Sequence, residues 1–148
     1  QTVNVLQALI LTDKDRMVLT PTYWVFEMYK VHQGATLLPT ETQSADYVIG
    51  DSKIPSVITS ASKDNSGKIH LSVVNARPDR AASLTVTLFG ATAKTGTGQT
   101  ITADAMDAHN TFDQPNVVKP TELKGIEATG DKIHIMLPAK SVSLLEIQ

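Results

Sequence analysis

The sequence predicts a mainly β protein, an antiparallel β-sandwich of jelly-roll type preceded by one βα unit. Three observations carry this. Val, Ile and Thr make up 41 of the 148 residues, and side chains branched at Cβ fit a pleated surface better than a helix. From about residue 40 onward, apolar residues recur at every second position in short segments separated by Gly, Pro, Asn and Asp. That is the period of strands with one face on a core. The aromatic residues also divide the chain: Tyr23, Trp24, Phe26 and Tyr29 fall together, and Tyr47, Phe89 and Phe112 are the only others. The expected parts are residues 1–38 and 39–148.

The first part opens inside an apolar run, residues 3–11. Near-continuous apolarity over that length suits a strand covered on both faces, as in a parallel α/β sheet. No basic stretch or small-residue cleavage site accompanies it, so it reads as structure and not as a signal peptide. A polar turn, Thr12-Asp13-Lys14-Asp15, leads into the short extended stretch Arg16-Met17-Val18-Leu19. Thr20 then offers a capping hydroxyl. Pro21 suits the first helical position, where its missing N–H would have no partner anyway. Trp24, Met28 and Val31 recur at helical spacing with Tyr23 and Phe26 beside them, and Gly34 is the expected stop. A helix apolar on more than one face needs burial against something larger. One buried strand and one buried helix cannot stand alone, so residues 1–38 are expected to be the tail of a larger α/β domain.

In the second part, residues 54–62 and 69–74 read as a hairpin around Lys63-Asp64-Asn65-Ser66-Gly67, with Ile69, Leu71 and Val73 facing the core. Residues 84–89 and 98–104 read as further strands, and a short piece lies near residues 47–49. Residues 123–128 turn at Thr129-Gly130-Asp131 into residues 132–137, and Pro138-Ala139-Lys140 turns those into residues 141–147. Seven or eight short strands at this spacing suit a sandwich or jelly roll. Residues 105–121 form one long irregular connection.

Chemistry is harder to find. The formal net charge of −2 without a basic block argues against an electrostatic nucleic-acid binder. The absence of cysteine excludes disulfides, thiolate metal sites and a cysteine nucleophile. No apolar run is long enough to cross a membrane as a helix. Of the four histidines, His70 and His134 sit opposite the apolar face of their strands and read as solvent-facing or cross-strand residues. No pair has the short spacing of a metal site. His109 lies beside Asp107 and Asn110 in the long connection, but no Gly-x-Ser-x-Gly elbow supplies a nucleophile. Side-chain hydrogen bonds that tie the loop down are the plainer role. Glu27 lies in the apolar helix, Glu122, Glu127 and Glu146 in surface strands, and none stands beside a second acid in an apolar setting. Gly96-Thr97-Gly98 reads as a hairpin tip rather than a nucleotide cradle. No catalytic residue, metal or cofactor is expected.

Three stretches resemble glycoside hydrolase family 51 α-L-arabinofuranosidases. The first combines Gln1-Thr2-Val3-Asn4-Val5-Leu6-Gln7-Ala8, Met17-Val18-Leu19-Thr20-Pro21-Thr22-Tyr23, Val25-Phe26 and Lys30-Val31-His32-Gln33, and is similar to the family's last βα unit. The second, Met106-Asp107-Ala108-His109-Asn110-Thr111-Phe112-Asp113-Gln114-Pro115, resembles its C-terminal signature. The third, Leu137-Pro138-Ala139-Lys140-Ser141-Val142, resembles its final hairpin. The resemblance implies that residues 1–38 are the terminal βα unit of a (β/α)8 barrel and residues 39–148 a C-terminal β-sandwich. It implies a retaining glycosidase that releases terminal arabinofuranose from arabinose-containing polysaccharides or oligosaccharides. Its two catalytic glutamates would lie on earlier barrel strands, and no Glu of this chain matches either motif. One binding residue carries over: Gln1 holds the position of the glutamine that reaches the sugar. The expected partners are the substrate, bound through the barrel, and the barrel portion itself, with no nucleic acid and no membrane. Apolar surface on residues 3–31 can otherwise fold back on the sandwich or drive homo-oligomer formation. The sandwich is expected to be structural support. An accessory carbohydrate-binding module is the alternative, disfavoured because residues 50–148 offer only Phe89 and Phe112 for stacking.

Overall fold

A computed structural model describes residues 2–148. The chain begins with an antiparallel hairpin, β1 (Ile10–Asp13) and β2 (Arg16–Leu19), followed by helix α1 (Pro21–Tyr29) and one turn of 3-10 helix, Lys30–His32. Next come β3 (Thr36–Leu38), the hairpin of β4 (Asp46–Ile49) and β5 (Ser52–Pro55), then β6 (Val57–Lys63), β7 (Ile69–Asn75) and β8 (Ala82–Thr87). The remaining strands are β9 (Gly96–Ile101), β10 (Thr121–Glu122), β11 (Glu127–Thr129), β12 (Lys132–Leu137) and β13 (Ser141–Ile147).

A six-stranded antiparallel sheet, in the order β10-β9-β13-β7-β6-β3, faces a three-stranded one, β11-β12-β8. Alternation builds the core between them. Val57, Ala61, Leu71, Val73, Leu145 and Ile147 point inward from the large sheet, and Ile133, Ile135 and Leu137 from the small one. The mainly β antiparallel sandwich expected from the sequence is thus the fold. A second core lies on the outer face of the large sheet, where Met28 of α1 is buried against Ile101, Val118 and Leu144, with Trp24, Val25 and Tyr29 packed around them.

α1 starts as its sequence dictates. The Thr20 hydroxyl accepts from the Tyr23 amide at 3.4 Å and donates to the Ala8 carbonyl at 2.8 Å, and Pro21 follows in the first turn. Only one side of the helix is buried; Phe26 is 65% exposed.

Several expectations need correction. Residues 3–11 do not form one buried strand: only Ile10 and Leu11 of that run enter a ladder, Val3 makes a single parallel bridge to Ile10, and Leu6 is 95% exposed. A strand buried on both faces takes hydrogen bonds from neighbours on either side. Here the backbone satisfies itself locally instead, with the Leu9 and Ile10 amides both donating to the Thr2 carbonyl. Residues 137–142 are not a hairpin. β12 pairs with β8 and β11, whereas β13 pairs with β7 and β9, so this turn carries the chain from one sheet to the other. Buried Asn75 fixes that corner by donating to the Pro138 carbonyl at 2.8 Å. Gly96-Thr97-Gly98 is no hairpin tip but lies within β9. A Cβ on Gly98 would stand 3.0 Å from the Leu144 carbonyl oxygen and 3.2 Å from the Leu123 Cβ, so glycine admits the chain that crosses over β9. Residues 123–126 belong to that crossing and to no strand.

Candidate functional site

The segment that precedes α1 is the first place to look, because the candidate sugar contact, Gln1, sits at its start; Gln1 itself lies outside the described residues. Its neighbours form a small hydrogen-bonded unit. The Asn4 side chain donates to the Thr12 hydroxyl at 2.8 Å and accepts from the Thr12 amide at 2.7 Å, tying the opening segment to β1. Arg16 on β2 pairs with Asp13 at 2.7 Å and reaches across to the long connection, 3.5 Å from Asp113 and 4.9 Å over the Phe112 ring. Asn110, only 3% exposed, donates to the carbonyls of Leu19 and Val118, each at 2.8 Å, and accepts from the Val118 amide at 2.7 Å. The expectation that side-chain hydrogen bonds tie this loop down holds for Asn110. His109 is exposed and, among the described residues, its ring bonds only the Asp107 backbone carbonyl, at 2.9 Å, so these assemble no nucleophile and base.

A second polar group lies beneath the 3-10 turn. The two ring nitrogens of His32 meet the hydroxyls of Ser62 at 2.7 Å and Ser72 at 2.6 Å. His70 lies 6.3 Å away, ring to ring, and its Nε2 is 2.9 Å from Asp64. Burial and then the nearby His70 hold His32 below the ordinary histidine value. Hydrogen bonds from Ser66 and then His70 hold Asp64 well below the usual carboxylate range. His70 and Ser72 are buried, which corrects the expectation of a solvent-facing His70. His134 does face outward and meets Thr85 across the strand pair at 3.0 Å. Among the described residues no group of three or more His, Asp or Glu is placed to hold a metal ion.

Two of the candidate glutamates share one lining, but each is paired. A cavity of about 640 Å³ between α1 and the large sheet brings Glu27 and Glu146 to one lining, with Trp24, Lys30, Gln99 and Lys119. Glu27 is ion-paired with Lys30, and Glu146 with Lys68 at 2.7 Å. Two carboxylates each neutralised by a lysine do not make the acid and nucleophile of a glycosidase, one of which must be held protonated.

A family model described as the α-L-arabinofuranosidase C-terminal domain matches residues 1–141. The chain belongs to that family. It is 43% identical over 149 aligned residues to a protein of Bacteroides ovatus named as an intracellular exo-α-L-arabinofuranosidase, covering all of this chain but 29% of that protein. A family 51 arabinofuranosidase from Xanthomonas axonopodis pv. citri superposes with a TM-score of 0.96 at 42% identity, covering 100% of this chain and 30% of the enzyme. The thermostable family 51 α-L-arabinofuranosidase of Thermotoga petrophila RKU-1 gives 0.84 at 28% identity, with 100% and 33% covered. The chain thus spans about a third or less of each of these relatives.

Within this arabinofuranosidase C-terminal domain, sequence reasoning overlooked three residues that organise the fold: Arg16, His32 and Asn75. A basic residue in a short strand, a histidine past a helix end and an asparagine closing a strand carry no motif. The one available signal was Asn75 followed by Ala-Arg-Pro-Asp, a composition that marks a turn.

Proposed function

We propose that the chain works as the C-terminal part of an exo-acting, retaining α-L-arabinofuranosidase. Residues 1–38 supply the last βα unit of its (β/α)8 barrel, and residues 39–148 a supporting β-sandwich. The observation that carries the reading is the 43% identity, over the whole chain, to a relative named for exo-α-L-arabinofuranosidase activity. The substrates are arabinose-containing polysaccharides or their oligosaccharides, and Gln1 contacts the terminal sugar. The two glutamates that retention requires, about 5 Å apart, belong to earlier barrel strands, so these 148 residues alone are inactive. Exposed Leu6, Met17 and Phe26 support a barrel partner, since they leave apolar surface beside a sandwich whose own core is closed.

The sandwich acts as support rather than as a sugar-binding module. Phe112 is covered by Arg16 and Tyr47 by Arg77, which leaves Phe89, 95% exposed, as a lone ring. The test is proton NMR of the full-length enzyme acting on an arabino-oligosaccharide. The expected first product is α-arabinofuranose released from the non-reducing end. Initial appearance of the β-anomer contradicts retention, and internal cleavage contradicts exo action.

A further inference from the structure

The connection between strand and helix in a barrel βα unit lies at the carboxyl end of the strand, where barrel enzymes keep their chemistry. No strand precedes the β1–β2 hairpin among the described residues; on the reading above, in which this segment belongs to the last βα unit, the hairpin immediately ahead of α1 falls in that connection. The sandwich reaches up to hold it. Phe112 and Asp113 take the Arg16 guanidinium between ring and carboxylate, and buried Asn110 takes the Leu19 carbonyl at the hairpin's end. From the hairpin, contacts continue inward through the paired Asn4–Thr12 bonds to the segment that begins beside Gln1.

We infer that the long loop of the sandwich braces the β1–β2 hairpin as a rim of the sugar cleft, with Arg16 and Asn110 as positioning residues for the part of the substrate beyond the terminal arabinose. An exo-acting pocket encloses the terminal sugar, and the rest of the chain lies across the surrounding loops. A hairpin held from outside the barrel keeps that rim in place without touching the reacting atoms. Arg16 is half exposed, and exposed pairs of this kind contribute little to folding. A role in positioning is therefore separable from a role in stability.

The experiment uses the full-length enzyme, with Arg16→Met, Arg16→Lys and Asn110→Asp compared with the wild type. The aspartate still accepts from the Val118 amide but donates to neither the Leu19 nor the Val118 carbonyl. The readouts are kcat and KM on 4-nitrophenyl α-L-arabinofuranoside and on a linear arabino-oligosaccharide, together with the melting temperature. Misplaced binding surfaces cost rate or affinity by an order of magnitude or more, so Arg16→Met and Asn110→Asp should raise the oligosaccharide KM about tenfold. The aryl glycoside, which barely meets the rim, should change by about threefold or less on the same grounds. Arg16→Lys, which keeps a cation over Phe112, should recover part of the loss. Unchanged oligosaccharide KM in both Arg16→Met and Asn110→Asp overturns the brace. So does an equal loss on both substrates that tracks a lowered melting temperature, which marks a purely structural role. A well-folded wild type without arabinofuranosidase activity overturns the parent reading and the brace together, an outcome distinct from a brace that fails in an active enzyme.

Discussion

Asn75 ends β7, is 1% exposed, and uses its whole amide. Its nitrogen donates to the carbonyls of Arg80 at 3.1 Å and Pro138 at 2.8 Å, while its oxygen accepts from the Arg77 amide at 3.1 Å. Asn75→Ala removes three hydrogen bonds that join two loops, although the Pro138 carbonyl keeps the Ser141 hydroxyl. Each lost bond costs about 0.5–1.5 kcal/mol, so a loss of about 2–4 kcal/mol is expected from urea unfolding, against little change for a surface control such as Asn65→Ala. His32 gives a pH-dependent counterpart. Burial and the neighbouring His70 lower its affinity for a proton in the fold, so its contribution is complete above the ordinary histidine value of 6.5. That contribution fades as pH falls through 6.5 toward the lower folded value, because the unfolded chain there binds the proton more readily. Unfolding midpoints measured from about pH 7 to pH 5 should fall more steeply for the wild type than for His32→Gln. Equal slopes would remove His32 from the linkage.

Elements were legible where a local pattern decides them. Thr20-Pro21 announced the start of α1, and Ile69, Leu71 and Val73 announced the core face of β7. What covers the other face of β7 was not legible, because alternation records only one neighbour. His70 and Ser72 are buried beneath the turn that follows α1, which is a tertiary fact. The pairing of β13 escaped for the same reason: a short Pro-Ala-Lys connection reads as a hairpin, whereas inter-sheet packing of Leu145 and Ile147 against Ile133 and Ile135 places β12 and β13 in opposite layers. In the candidate site, the loop signature was visible as a motif, but its grip on β2 through Asn110 and Phe112 spans most of the sequence and leaves no local trace. Docking of α1 is testable at Trp24, which is half-buried in the second core and whose Nε1 is buried with no partner among the described residues. Full burial of an aromatic ring is worth about 3–5 kcal/mol on truncation. Partial exposure and an unpaired N–H reduce this, so Trp24→Ala should cost about 2–3 kcal/mol. A change near zero would mean that the helix is not held by the sandwich.

At the scale of the whole molecule, two cores share the large sheet. The inner one closes the sandwich, and the outer one fastens α1 to it, while Asn110 and Phe112 hold the hairpin. This attached segment also leaves Leu6, Met17 and Phe26 in the open, apolar surface that suits a larger apolar partner. The proposed division of labour, support from the sandwich and chemistry from a barrel, has a direct consequence for the isolated chain. The decisive measurement is hydrolysis of 4-nitrophenyl α-L-arabinofuranoside by purified residues 1–148 beside the full-length enzyme. Release of 4-nitrophenol by the full-length enzyme, with the chain alone no faster than the blank, is the predicted result. Turnover by the chain alone that persists through further purification would contradict it and place the catalytic groups among these 148 residues.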